Sequence, residues 1–163
     1  MSWLLERLRK YKNDRGMMAN LRCVLVDNKK HRAWPVLNRL GVAINDDIAA
    51  YVAGLFAIHS EETSNGNFGS TCKAIEQRRG DKRSDDTKLT PTERRFQHLL
   101  TAEEGGELQS RVLRMVLMAK AQGVPIDYVK LKTDLKFWND RTKTKWAVAF
   151  WTQGVFPAPE EEV

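Results

Sequence analysis

The residues with the most chemical potential in this chain are cations, and they recur in sets. Arg15 and Arg22 lie seven apart, so both project from one side of a helix, opposite Met17 and Val24. Arg94 and His98 are four apart and face away from Phe96 and Leu100, with Arg95 beside them. Arg111 and Arg114, three apart, share one edge of an otherwise apolar helix. In "LKFWNDRTKTKWAVAFW", residues 135 to 151, Arg141, Lys143 and Lys145 sit between Phe137 and Trp138 on one side and Trp146, Phe150 and Trp151 on the other. Arg and Lys so arranged can hold phosphates, which gives affinity without reading base sequence. The aromatics are expected to anchor two helices in a core, fix the turn and hold its cations outward. None of these helices carries the polar base-reading residues of a recognition helix.

Other chemistries lack their parts. His31, His59 and His98 stand apart from cysteine and lack metal-ligand spacing. His59 ends a predicted helix, where a partly cationic ring suits the dipole, and its neighbours Glu61 and Glu62 read as surface carboxylates, not ligands. "GNFGS" has no following Gly-Lys-Ser/Thr and is no phosphate loop. Cys23 and Cys72 form no disulfide framework and read as reduced, partly buried thiols. No enzymatic activity and no metal or other cofactor are expected.

The elements that must position the cations are helical nearly throughout. Leu4, Leu5, Leu8 and Tyr11 make a first amphipathic helix. Asp14 caps a second, which buries Met17, Leu21 and Val24. A third starts near Trp34 and Pro35 and stops at Gly41. Asn45 or Asp46 caps a fourth, with Ile48, Tyr51, Val52 and Leu55 inward. Residues 60 to 70 read as a polar loop, 70 to 77 as a short helix, and 78 to 88 as a charged linker or a mobile segment ordered by a partner. Thr90-Pro91-Thr92-Glu93 is a capping box with Pro at the first helical position, opening a helix that buries Phe96, Leu99 and Leu100. "GELQSRVLRMVLMAKAQG" predicts a helix mostly enclosed by neighbours. Asp127 caps the next, with Tyr128, Leu131, Leu135 and Trp138 inward, and Asn139 or Asp140 caps the last.

The expected fold class is all-α, about nine helices in two small bundles, or in one bundle with a long internal connection. The expected divisions are an N-terminal bundle over 1–80, a linker over 81–90, a C-terminal bundle over 91–156 and an acidic tail over 157–163.

Composition agrees with a polyanion as partner. The 163 residues carry a net charge of +6 and a pI near 9.4, while 42% hydrophobic residues suffice for a core. Setting aside Glu160, Glu161 and Glu162 of the tail leaves the preceding body near +9, and Arg7 to Arg39 holds ten Lys or Arg against two acids. No apolar run approaches the ~20 residues of a membrane span, and the start "MSWLLERLRKYK" is too charged for a signal peptide, so a cytoplasmic protein with no membrane partner is expected.

Taken in order, "DRGMMANLR", "HRAWPVLNRL", "AAYVAGLFAIH", "ERRFQHLL", "GVPIDYVKLKTDLKFW" and "WAVAFW" resemble the CasB family, the small subunit of type I-E CRISPR Cascade surveillance complexes. The match lies in the order and spacing of these motifs from about residue 11 to 152. The resemblance implies an all-helical, two-bundle, non-enzymatic subunit of antiviral defence, present as two stacked copies. Its implied partners are the large and backbone subunits of Cascade, a second copy of itself, and the guide RNA–target DNA R-loop with its displaced DNA strand. The family's basic positions match Arg15 or its neighbour, Arg22, Arg39, Lys73, Arg94, Arg95, Arg111 or Arg114, Arg141 and Lys143, and local charge adds Lys29, Lys30 and Lys145. Residues 60 to 90 depart most from the family pattern. Two other readings stay open: a stand-alone regulator using residues 124 to 146 as a variant helix-turn-helix, and a scaffold whose cations meet acidic proteins.

Overall fold

A computed structural model describes residues 2–151, so the acidic tail and the expected end of the last bundle at 156 lie outside the described residues. Nine α-helices follow in order within them: α1 Trp3–Lys10, α2 Arg15–Arg22, α3 Trp34–Arg39, α4 Asp47–Ile58, α5 Phe68–Arg79, α6 Pro91–Leu100, α7 Gly106–Gln122, α8 Tyr128–Lys136 and α9 Asp140–Trp151. The all-α class is what the periodicity predicts. Among the described residues the nearest approach to a strand is a single parallel bridge between Glu62 and Ile126.

Most helix starts are set by short polar side chains. Asp14, Asp46 and Asp127 accept from the backbone N–H three residues on, each satisfying a donor with no partner inside its helix. Thr90 and Glu93 close the predicted capping box of α6, and Asn67 with Ser70 closes a second on α5. That second box starts α5 at Phe68, inside the stretch expected to be loop. Cys23–Leu25 and Asp27–Arg32 form 3-10 turns between α2 and α3, so Val24 falls beyond α2. Helix α7 is less enclosed than its composition predicts: Leu108, Val112, Met115 and Ala119 are buried on one stripe, but Arg114, Leu117 and Lys120 face solvent.

The buried residues form one continuous cluster from Leu4 to Phe150. Helix α4 is buried from Ala49 to Ala57 and packs on α2, α8 and α7. Helix α5, assigned by sequence to the N-terminal group, packs mainly on α9 and also on α7 and α6. Gly69 makes the α5–α9 contact possible, because a Cβ there would run into the backbone carbonyl of Trp146. Trp146 is fully buried; its ring lies 5.2 Å from Phe68 and 4.9 Å from Trp138, and its indole N–H donates to Asp134 at 2.8 Å.

The charged linker is folded back, which its composition does not foretell. Asp81 accepts from the Thr92 N–H at 3.0 Å and from the Thr92 hydroxyl. Thr90 donates through its hydroxyl to buried Glu76 at 2.6 Å and through its N–H to Glu93 at 2.7 Å. Glu93 also accepts from Arg83 at 2.7 Å and from the Trp151 indole at 2.9 Å. Asp81, Arg83 and Thr90 are thereby tied to α5 and α6, and apart from the Thr90–Glu93 capping box these pairings span ten or more residues, which local sequence does not record, while residues 82–88 stay exposed.

This packing sets two expectations for stability. Gly69→Ala is expected to cost about 1–3 kcal/mol through overpacking despite its better helix propensity, while Gly106→Ala, with open space around it, is neutral or stabilising; urea unfolding midpoints check both. Burial opposes ionisation of Glu93, but the Thr90 N–H, the Trp151 indole and Arg83 outweigh it and hold the carboxyl below the usual range. A depressed folded pKa contributes stability above the unfolded value of about 4.3, lost as pH falls through the folded value. Glu93→Gln should therefore lower stability by about 1–3 kcal/mol at pH 7, with the gap to the unaltered chain narrowing below about pH 4. A gap that stays constant in urea titrations from pH 7 to pH 3.5 contradicts this.

Candidate nucleic-acid interface

The basic residues singled out by sequence fall into two kinds. Several are tied into the fold. Arg22 donates to the Ala57 carbonyl at 3.0 Å, satisfying the last turn of α4 from across the α2–α4 contact. Lys73 pairs with Glu76 at 3.1 Å and lies 5.5 Å from the Phe150 ring centroid. Arg94 donates to the Leu89 carbonyl at 2.9 Å. Arg111 donates to the His98 carbonyl at 2.8 Å and the Thr101 hydroxyl at 3.1 Å, and pairs with Glu107 at 2.9 Å. Lys143 is half-buried with its ammonium 5.5 Å from the Trp138 ring centroid.

The others are open. Arg15, Arg39, Arg95, Arg114 and Arg141 are exposed, and within the described residues their guanidinium groups have neither an ion pair nor a hydrogen-bond acceptor. Lys145 is exposed as well, one helical turn beyond Arg141 on the same face of α9. Its charge acts on Asp134, whose carboxyl burial holds above the usual range although Trp146, Lys145 and Lys130 pull it down. Lys29 and Lys30 are exposed on the second 3-10 turn, Lys30 standing 3.7 Å from Asp27.

Helices α6 and α7 bring one set together. Arg95 and His98 from α6 and Ser110, Arg111, Arg114 and Met115 from α7 line a shallow cleft of about 150 Å³. Arg111, held by three partners, makes the rigid wall, and Arg95 and Arg114 are the free cations at its edges. Arg141 lies in the first turn of α9 and Lys145 in its second, Arg15 starts α2, and Arg39 ends α3. The free cations are therefore spread over several helices and share no single pocket. A larger cleft of about 620 Å³, lined by Val26, Trp34, Ile44 and Tyr51 along with Asp27 and Asp47, is bordered by Lys30 but by none of the basic positions matched to the family.

The turn from α8 to α9 is firmly built. The Phe137 N–H donates to the Thr133 carbonyl at 3.1 Å, and the Phe137 carbonyl accepts from the Thr142 hydroxyl at 2.7 Å. Asn139 caps α9 by accepting from the Thr142 N–H at 3.0 Å, and the Trp138 indole donates to the Ala102 carbonyl at 2.9 Å. Trp138, Trp146 and Phe150 anchor the turn as expected. Phe137 does not: its side chain is 56% exposed. The spacing Leu131, Leu135, Trp138 leaves position 137 off the buried stripe, and that is the signal that could have found it.

The groups outside this surface have structural roles. His59 is buried at the end of α4 with Nε2 at 2.6 Å from the Val124 carbonyl, an acceptor, so that nitrogen carries the proton. Glu62 pairs with Arg9 through both oxygens, at 2.8 and 3.0 Å. Burial pushes the Cys72 thiol well up, away from thiolate, and Cys23 donates to the Ala19 carbonyl. Among the described residues no three His, Cys, Asp or Glu converge as metal ligands, and no helix is long and apolar enough to cross a membrane.

Several solved structures share this fold. A CRISPR-associated protein of the Cse2 family from Thermus thermophilus superimposes with a TM-score of 0.71 at 19% identity, covering 91% of this chain and 95% of that one. CasB from Thermobifida fusca gives 0.66 at 20% identity over 93% and 99% of the two chains. CasB from M. ruber gives 0.62 at 23% identity over 91% and 92%. No curated protein matches the chain significantly. At such identities the structures speak for the fold alone, but residues 4–151 also match the sequence model of the CRISPR-associated protein Cse2. That match runs through every helix from α1 to α9, and the chain belongs to the CRISPR-associated Cse2 family.

Proposed function

We propose that this protein is the non-catalytic small subunit of a type I-E Cascade complex, an RNA-guided effector of antiviral defence in the cytoplasm. It braces the assembly beside the large and backbone subunits and a second copy of itself. It also stabilises the R-loop through sequence-independent phosphate contacts, including contacts to the displaced non-target strand. The observation that carries this reading is the set of exposed, unpaired guanidinium groups at Arg15, Arg39, Arg95, Arg114 and Arg141, each mounted on a packed helix.

The energetics favour such a role. Opening a duplex against a guide exchanges one helix for another of similar stability, so modest contacts to backbone phosphates tip the balance. A displaced strand re-anneals unless held, and cations on rigid helices hold it at small ordering cost. Because phosphates carry no sequence, such contacts leave discrimination to the guide. The shifted carboxyls Asp81, Glu93 and Asp134 are engaged in helix caps or core hydrogen bonds and Asp85 holds Thr87 in an exposed turn, which fits a bracing subunit better than an enzyme.

The test is charge reversal at Arg95, Arg114 and Arg141 in the assembled complex, with target binding measured across a salt series. Affinity is expected to fall, and the slope of log K against log salt to flatten by roughly 0.7 for each single-strand phosphate that is no longer neutralised. Unchanged affinity and slope in a correctly assembled complex would refute the assignment. Arg22 and Arg111 are unsuitable targets, since each also holds neighbouring helices together.

A further inference from the structure

We propose that Phe137 is a stacking platform for an unpaired nucleobase of a DNA single strand whose phosphates lie along Arg141 and Lys145. This deepens the phosphate-binding reading above and rests on it. The other four aromatics of the C-terminal run all have ring partners: Trp138 with Trp146 at 4.9 Å, Phe150 with Phe96 at 4.4 Å, and Trp151 with Phe96 at 5.3 Å. Phe137 has no ring partner within the described residues. The Lys136 ammonium lies 5.6 Å from its centroid.

Its exposure is not looseness of the backbone. The Phe137 N–H and carbonyl are both hydrogen-bonded, and the flanking Trp138 and Asn139 are tied to Ala102 and Thr142. A large apolar ring is thus displayed from a fixed position, where stacking would order only two side-chain torsions. Lys136 stands beside it, and Arg141, Lys143 and Lys145 follow on α9 within eight residues, against one exposed acid in that stretch, Asp140. That balance favours a phosphate-bearing partner over an apolar protein surface. Arg141 and Lys145 are about 6 Å apart along the axis of α9, at about 1.5 Å per residue, a step comparable to that between phosphates of an extended strand. In a duplex both faces of a base are covered, so an aromatic side chain can reach a base face only in a single strand. The exposed Trp34 is a poorer platform, because Asp27 and Asp47 line its cleft and repel phosphate.

The experiment uses the full chain with two labelled strands of equal length, oligothymidine and an abasic phosphodiester, read by fluorescence anisotropy. Phe137→Leu, which keeps an apolar side chain at an exposed position, should weaken oligothymidine binding about 5- to 150-fold. Binding of the abasic strand should stay within about twofold, and Phe137→Trp should restore the difference. Arg141→Glu should weaken both strands. With 5-iododeoxyuridine in the strand, irradiation should crosslink Phe137. Equal effects of Phe137→Leu on the two strands, or crosslinks at Trp3 or Trp34 instead, would overturn the stacking role while phosphate binding stands. Loss of assembly with protein subunits while strand binding is unchanged would make Phe137 a protein contact and overturn it too. If Arg141→Glu also leaves both strands unaffected, or the unaltered chain binds neither, the phosphate reading fails and stacking fails with it.

Discussion

The contact between α5 and α9 at Gly69 and Trp146 is the constraint on which the rest of the molecule depends. One indole there meets Phe68 from α5 and Trp138 from the α8–α9 turn, donates to Asp134 from α8, and brings its own backbone against a residue without a side chain. Four elements are thereby set relative to one another by a single side chain. The position of every cation on α9, and of the exposed ring before it, follows from that fit. Dense packing of this kind has few alternative arrangements, so it fixes orientation as well as stability.

The basic residues divide according to what the packing asks of them. Arg22 acts as a long-range cap, delivering an N–H donor to the Ala57 carbonyl in the last turn of α4, and Arg111 adds a donor from α7 to the His98 carbonyl of α6, which also accepts from Thr101. Lys73 balances a buried glutamate. Arg95, Arg114 and Arg141 do none of this, and their charge is fully available to a partner. A positive net charge thus combines two different uses of arginine, one internal and one facing outward, and only coordinates separate them.

Much of the frame was legible in the chain. Asp14, Asp46, Asp127, Asn139 and the Thr90–Glu93 box announce helix starts because a cap acts over three residues. The buried stripes of α1 and α6 follow from helical spacing alone. What stayed hidden involves partners distant in sequence. The segment over 81–90 looks solvated until Glu76 is seen to receive the Thr90 hydroxyl, Glu93 the Arg83 guanidinium, and Asp81 the Thr92 N–H and hydroxyl. Arg22 looks like an outward cation until α4 supplies Ala57. The 3-10 turns around Asp27 carry no apolar period to announce them. The open guanidiniums were legible as positively charged, but not as unpaired.

The dependence of α5 on α9 also bears on how the polypeptide is made. During synthesis α5 leaves the ribosome before α6, α7 and α9, and its side at Gly69, which meets Trp146, is the last to be covered. The bridge from Glu62 to Ile126 likewise waits for the last third of the chain. The α5 surface that meets α9 therefore stays uncovered until late in translation, and the final closure waits until α9 can pack over α5.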